Sequence, residues 1–164
     1  MFVCTLGNGQ DTFSANRLDG EGETIIIIPI GHFEDSGHTV SAVVVLASIP
    51  GYGDGTKREL VFRLVEMGPN NAHIRDYYDG FETKSFLSSP ADREQVRACV
   101  GGAVELLIDQ IQPEAVEMMT YTANLPKSAL SKYQDIAHIF AAKGYQVARP
   151  DSYHNRWIWM MRRP

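Results

Sequence analysis

The hydrophobic positions of this chain follow two periods, and each change of period marks an element. Glu23 to Ile30, ETIIIIPI, is an almost unbroken β-branched run, which suits a pleated, buried surface better than a helix. It predicts a strand whose Pro29, unable to donate to a ladder, belongs at a strand end, a bulge or an edge. The turn formers GHFEDSGH follow, and Thr39 to Ile49, TVSAVVVLASI, predicts an antiparallel neighbour that is apolar on both faces in its middle. PGYGDGT, residues 50–56, is the densest turn signal in the chain, with glycines to supply positive φ and an Asp-Gly pair to favour tight reversal. Lys57 to Met67, KRELVFRLVEM, then alternates. Leu60, Phe62, Leu64 and Glu66 fall on one face and Val61, Arg63 and Val65 on the other, which predicts a third strand joined to the second as a hairpin. A short strand also fits Phe2 to Leu6.

The period then lengthens. Ser89-Pro90-Ala91-Asp92 reads as a helix start: Ser89 caps, Pro90 fits the first helical position, and Asp92 and Glu94 complement the dipole. Val96, Val100, Ala103, Val104, Leu107, Ile108 and Ile111 recur every three or four residues, an amphipathic helix for packing on a sheet, and Pro113 stops it. Gly101-Gly102 in its middle costs roughly 1 kcal/mol per glycine relative to alanine, a cost that close approach of another backbone would offset. Glu114 to Thr122 is a fourth strand. Asn124 and Pro126 open a second helix with a stripe of Leu130, Tyr133, Ala137 and Phe140, and Lys143-Gly144 ends it. Tyr145 to Ala148 is a fifth strand, DSYHN a turn, and Arg156 to Arg162 a sixth. Residues 68–89 follow no period, and a loop of that length usually has a function or hides a short helix. Its Tyr77, Tyr78, Phe81 and Phe86 suit a pocket wall, a partner surface or a lid buried on the sheet.

These elements make one domain over 1–164. It is an α/β (α+β) fold with a mixed, largely antiparallel twisted sheet of about six strands and two main helices. The length of 164 residues, 44% hydrophobic and 21% charged, is enough to bury a core without disulfides or metals. A net charge of -5 argues against nucleic acid as a partner. Cys4 and Cys99 stand far apart, outside any metal-ligand spacing, and read as reduced thiols of a soluble, cytoplasmic protein. MFVCTLGNGQDTF lacks the features of a secretory signal, and no apolar run is long enough for a bilayer, so no membrane association is expected. The histidines His32, His38, His73, His138 and His154 show no metal-ligand spacing, so no metal is expected. His32 and His38 flank one turn and either meet across the hairpin or remain surface groups. RWIWMMRR has bulky apolar residues on alternate positions, a seam for a homo-oligomer if it forms an edge.

Strand, strand, strand, helix, strand, helix, strand, strand is the element order of the later part of the GNAT acetyltransferase fold, the acyl-CoA N-acyltransferase family. The closing segment IFAAKGYQVARPDSYHNRWIWMMRR resembles that family's end, and the likeness is best over residues 114–163. The resemblance implies acetyl-CoA or another acyl-CoA as cosubstrate and a cleft between the fourth and fifth strands. Two features depart from it. The family's loop of Gln or Arg, two residues, Gly, one residue, then Gly or Ala is replaced after Met67 by GPNNAHIRDYY, and Arg97 to Ala103 offers its spacing only out of register and inside a helix. Phe140 also stands where many members place a tyrosine acid.

Candidate residues follow from this. Glu66 is a base for an amine or a solvated strand-end charge. Tyr121 and Tyr133 are candidate acids, Tyr133 alternatively a buried structural group. Ser88, Ser89 and Arg93 form a helix-start anion site for a CoA pyrophosphate or an ordinary cap. Two functions stay open: an acyl transferase acting on an amine, and a GNAT-like binding or assembly module, homodimeric, without CoA chemistry.

Overall fold

The computed structural model describes residues 1–7, 13–51, 56–78, 80–121, 130–148 and 151–164. The elements are β1 (Phe2–Cys4), β2 (Asn16–Gly20), β3 (Glu23–Phe33), β4 (Thr39–Ser48), β5 (Lys57–Met67), β6 (His73–Tyr77), α1 (Gly80–Phe86), α2 (Pro90–Ile111), β7 (Ala115–Tyr121), α3 (Leu130–Ala142), β8 (Gln146–Val147), β9 (Asp151–Tyr153) and β10 (Arg156–Arg162). One mixed sheet runs β1-β3-β4-β5-β7-β10-β8, with β2 also on β3, β6 on β5 and β9 on β10. Among the described residues every pairing is antiparallel except β5 with β7. The predicted elements occur in the predicted order, with β2, β6, β9 and α1 added among them.

Among the described residues the sheet has ten strands where about six were expected. β2, β6 and β9 are additions made of NRLDG, HIRDY and DSY, sequences too polar to show a buried face. α1 is a third helix within the aperiodic segment. Pro29 lies at a bulge: the β3–β4 register shifts between Pro29 and Gly31, so the missing N–H interrupts no regular ladder bond. The helix start predicted at Asn124 and Pro126 and the centre of the 50–56 turn lie outside the described residues.

The helices lie on one face of the sheet. Ile26, Ile28, Val44, Leu46, Leu60, Val116, Met118, Trp159 and Met161 of the strands form a single core with Val96, Ala103, Val104, Leu107, Ile136 and Phe140 of α2 and α3. On the opposite face Val43, Val45 and Val65 form a small cluster with only strand neighbours. α2 begins as its sequence predicts, Ser89 Oγ accepting from Asp92 N at 3.3 Å. Its glycine pair is a packing device of a different kind from the one expected. A Cβ on Gly102 would lie 2.8 Å from the Phe13 ring and one on Gly101 3.3 Å from Ile139 Cδ1, so side chains, not a backbone, occupy that room.

The feature that positions a site is the parting of β5 and β7. They pair only from Lys57 with Ala115 to Glu59 with Glu117. Beyond that point β7 keeps β10 as partner, while the same edge of β5 is taken by β6 from Leu64, opposite Tyr77, to Met67. Among the described residues, Leu60 to Arg63 therefore have no strand on that edge. The cleft stands between the strands predicted as third and fourth, not between the fourth and fifth: β10 lies between β7 and β8 and closes that gap.

Candidate functional site

Over the parted strands lies a cavity of about 760 Å³, walled by β5, β6 and all three helices. Phe62 and Leu64 supply its floor, and Leu87, Val96, Val100, Ile136 and Ile139 its apolar walls. Arg63, Lys84, Arg93, Arg97 and Lys132 bring positive charge to the lining, against Glu94, Glu105 and Asp135. Some of that charge is engaged within the chain. Arg97 pairs with Asp135 and stands 3.6 Å from Glu94, and the Lys132 ammonium lies 5.3 Å from the Phe62 and Tyr133 rings. The Arg63 Nε sits 3.4 Å from Asp76. An apolar floor with a net positive lining fits an amphiphilic anion.

At the β6 end the wall contains Tyr77, whose hydroxyl donates to Glu66 Oε2. The other Glu66 oxygen lies 2.6 Å from His38 Nδ1. Glu66 and Tyr77 share a face because Tyr77 of β6 lies opposite Leu64, two residues from Glu66 along the alternating β5. Glu66 is only 8% exposed. Burial alone would raise its carboxyl, but hydrogen bonds from Tyr77 and His38, and the charges of His38 and Arg75, hold it below the ordinary carboxylate range. The Tyr77 phenol is pushed up to about 12, first by burial and then by its bond to the Glu66 carboxylate. Phe86 of α1 packs on Tyr77, ring centroids 5.1 Å apart, and meets Phe2 and Phe33 edge to face.

The candidate residues of the sequence are not gathered in this cavity. Glu66 is behind its wall, in contact with Tyr77. Tyr133 is buried, stacked on Trp159 at 4.9 Å and tilted against Phe62, with its hydroxyl bonded to Thr120; burial raises its phenol. Tyr121 is 51% exposed at the end of β7 beneath the Arg156 guanidinium. Ser89 is the α2 cap and Ser88 gives its carbonyl to Arg93. Arg93 alone of that trio lines the cavity, with one terminal nitrogen donating to Leu87 O at 2.7 Å and Ser88 O at 2.6 Å. His38 meets Glu66 rather than His32. Of the four aromatics of the aperiodic segment, Tyr77 and Tyr78 line the cavity, Phe86 is partly buried against Tyr77, and Phe81 is exposed. The sequence pointed to Tyr77 only as one of a group, and the β5–β6 register that joins it to Glu66 leaves no apolar period to read.

No family model matches the chain, and no curated protein matches it. A search of solved structures finds a point variant of the spermidine N-acetyltransferase SpeG from Vibrio cholerae. That match has 7% identity and a TM-score of 0.40, over 86% of this chain and 66% of that protein's chain. The chain thus spans just under two thirds of its length. Among the described residues, no group of His, Cys, Asp and Glu stands close enough to hold a metal ion. Among the described residues, no helix is long and apolar enough to cross a membrane.

Proposed function

We propose that the chain binds an acyl-CoA thioester in this cavity and passes its acyl group to an amine, as a GNAT-like N-acyltransferase. One observation carries the reading: the strand edge at Leu60 to Arg63, without a strand partner among the described residues, opens on an apolar cavity with a positive lining. A pantetheine arm is an extended chain with amide groups, and a free strand edge offers the donors and acceptors that such a chain pairs with. The diphosphate end meets side chains rather than a backbone cradle. The cationic side chains Lys84, Arg93 and Arg97 of the lining stand nearest to such a group. Glu66 assists as the base, reached through Tyr77. A thiolate is a good leaving group at the acidity of an ordinary thiol, so neither Tyr121 nor Tyr133 is required as an acid.

A calorimetric titration with acetyl-CoA and desulfo-CoA tests the reading. Saturable heat with both is expected; no heat and no thermal shift at millimolar ligand would sink it.

A specific observation keeps the second reading, a homodimeric binding module without chemistry. β6 seals the β5 edge from Leu64 to Met67, and both candidate acids stand outside the cavity. Desulfo-CoA heat without thiol release from acetyl-CoA, across a panel of amines, would select the module.

A further inference from the structure

The geometry points to a hydrocarbon chain as the group that fills the inner part of the cavity: a medium-chain acyl group, rather than acetyl, lying on Phe62 between α2 and α3. The inference rests on the acyl-transfer reading for the thioester that carries the chain, but not for the apolar site itself.

The cavity is long rather than round. Its lining on α2 runs from Pro90 to Glu105, a span of about 22 Å at the helical rise per residue. α2 and α3 run parallel beside it and meet at three matching levels: Arg97 with Asp135, Gly101 with Ile139, and Asp109 with Lys143. At the middle level they come close enough that a Cβ on Gly101 would stand 3.3 Å from Ile139 Cδ1. Charge and hydrocarbon are sorted by depth. Every charged lining residue is exposed or half-buried, whereas Leu64, Leu87, Val96 and Ile136 are 3–8% exposed. The hydroxyls at this depth are already engaged. That of Tyr77 donates to Glu66, outside the lining, that of Thr83 donates to Gly80 O, and that of Tyr133, whose ring is tilted on Phe62, is bonded to Thr120. A polar ligand group placed there would give up water and find no partner in exchange. A pantetheine arm spends its amides on the β5 edge, and an acetyl group adds a single methyl, which leaves Val100, Ile136 and Ile139 facing water. A longer chain covers them, and each methylene it buries favours binding about 4-fold. The cations at the rim then hold the anionic end, as the depth order requires.

Chain length is the test. Wild type and the Val100→Gln and Ile139→Gln variants are titrated by calorimetry with acetyl-, butanoyl- and octanoyl-CoA, and with octyl and ethyl phosphate as chains without CoA. The methyl groups of ¹³C-labelled Val, Leu and Ile are followed by NMR. Wild type is expected to bind octanoyl-CoA at least about 10-fold more tightly than acetyl-CoA, the effect of burying two or more methylenes, and octanoyl-CoA alone should shift the Val100 and Ile139 methyls. Both side chains are half-buried, so glutamine there is solvated when the cavity is empty, and each variant is expected to lose most of the preference for the longer chain. Where a variant misfolds, the other carries the comparison, and the wild-type methyl shifts place the chain independently of both. Equal affinity of wild type for acetyl- and octanoyl-CoA, or a preference that survives in both folded variants, overturns the inference and leaves the acyl-transfer reading standing. No heat with any CoA ligand, with octyl phosphate bound at Val100 and Ile139 more tightly than ethyl phosphate, upholds the apolar site and removes that reading. No binding of either octyl ligand overturns both.

Discussion

The closing third of the chain and the aperiodic segment before α2 divide the work of this molecule unequally. In β7, α3 and β10 the large side chains are fitted to one another: Trp159 is 2% exposed, Tyr133 stacks on it and Phe140 meets Tyr145 edge to face. In residues 73–86 the large side chains are divided. Tyr77 packs on Phe86, which turns inward on Phe2 and Phe33, while Tyr78 and Phe81 stay exposed. The resemblance read from the sequence lies in the first region, and the second supplies Tyr77, the cavity-wall phenol coupled to the Glu66 carboxylate of β5. A closely filled core resists new chemistry, because every side chain there already has a packing role. A segment laid along an open strand edge can bring new groups to a cleft without disturbing that core.

Truncating the first region should give the largest effect. Trp159→Ala removes a fully buried ring between Tyr133 and the rest of the helix-face core, and a loss of about 3–5 kcal/mol is expected. Urea unfolding would show it as a lower midpoint at an unchanged slope. A loss below about 1 kcal/mol would mean that this region is not the filled core described.

The second region should answer to pH instead. The Tyr77 phenol is held up to about 12 from 10.0, so above pH 10.0 the folded state retains a proton that the unfolded chain releases. Its stabilisation, on the order of 3 kcal/mol at most by the linkage relation, is whole below pH 10.0 and is lost as pH rises toward about 12. Glu66 has the opposite sense. Its lowered carboxyl stabilises the fold above the ordinary carboxylate range, and that contribution is lost as pH falls through its folded value. Urea midpoints across the alkaline range should fall less steeply in Tyr77→Phe than in wild type. Parallel curves would show that the Tyr77–Glu66 pair is not the coupled unit described here.

The same contrast explains what the sequence could convey. β3, β4 and β5 were legible because β-branching and alternation coincide in them, and α2 and α3 because each has a cap or stop signal and an apolar stripe. β2 is exposed throughout, and β6 is apolar and buried only at Tyr77, so neither leaves a period. The six-strand expectation fell short because hydrophobicity reports a buried face, and an added edge strand has none. Glu66 was legible as a carboxylate on the core face of an alternating strand. Its partners were not: His38 reaches it from the β3–β4 turn and Tyr77 across the β5–β6 pairing, and register between strands is not written in either sequence alone. The cleft was placed one strand too far along because the insertion of β10 between β7 and β8 is a topological fact without a local signal.

A milder change in the closing third separates packing from chemistry there. Tyr133→Phe removes only the hydroxyl bonded to Thr120 and keeps the ring on Trp159 and Phe62. A loss of about 1 kcal/mol is expected, with desulfo-CoA heat and any thiol release unaltered. A collapse of turnover at constant stability would return Tyr133 to the role of leaving-group acid.

The smallest effect should come where α2 meets both regions' neighbours, at its adjacent glycines. Alanine is worth roughly 1 kcal/mol over glycine inside a helix, so Gly101→Ala and Gly102→Ala start from the same gain. Their surroundings differ. The new methyl at 101 meets Ile139 Cδ1 of α3 at 3.3 Å, the far end of a flexible chain, whereas at 102 it meets the Phe13 ring at 2.8 and 3.1 Å. Ile139 can turn by a few tenths of an ångström; the rigid Phe13 ring has to move as a whole. Gly101→Ala should therefore change the urea midpoint by no more than about 0.5 kcal/mol in either direction, and Gly102→Ala should be clearly the less stable of the two. Both positions line the cavity, so Gly101→Ala also narrows it beside α3 without loosening the fold. Weaker desulfo-CoA heat at unchanged stability would confirm that the ligand runs past this point of α2. The reverse order of stability would show that Phe13, not Ile139, is the side chain with room to yield.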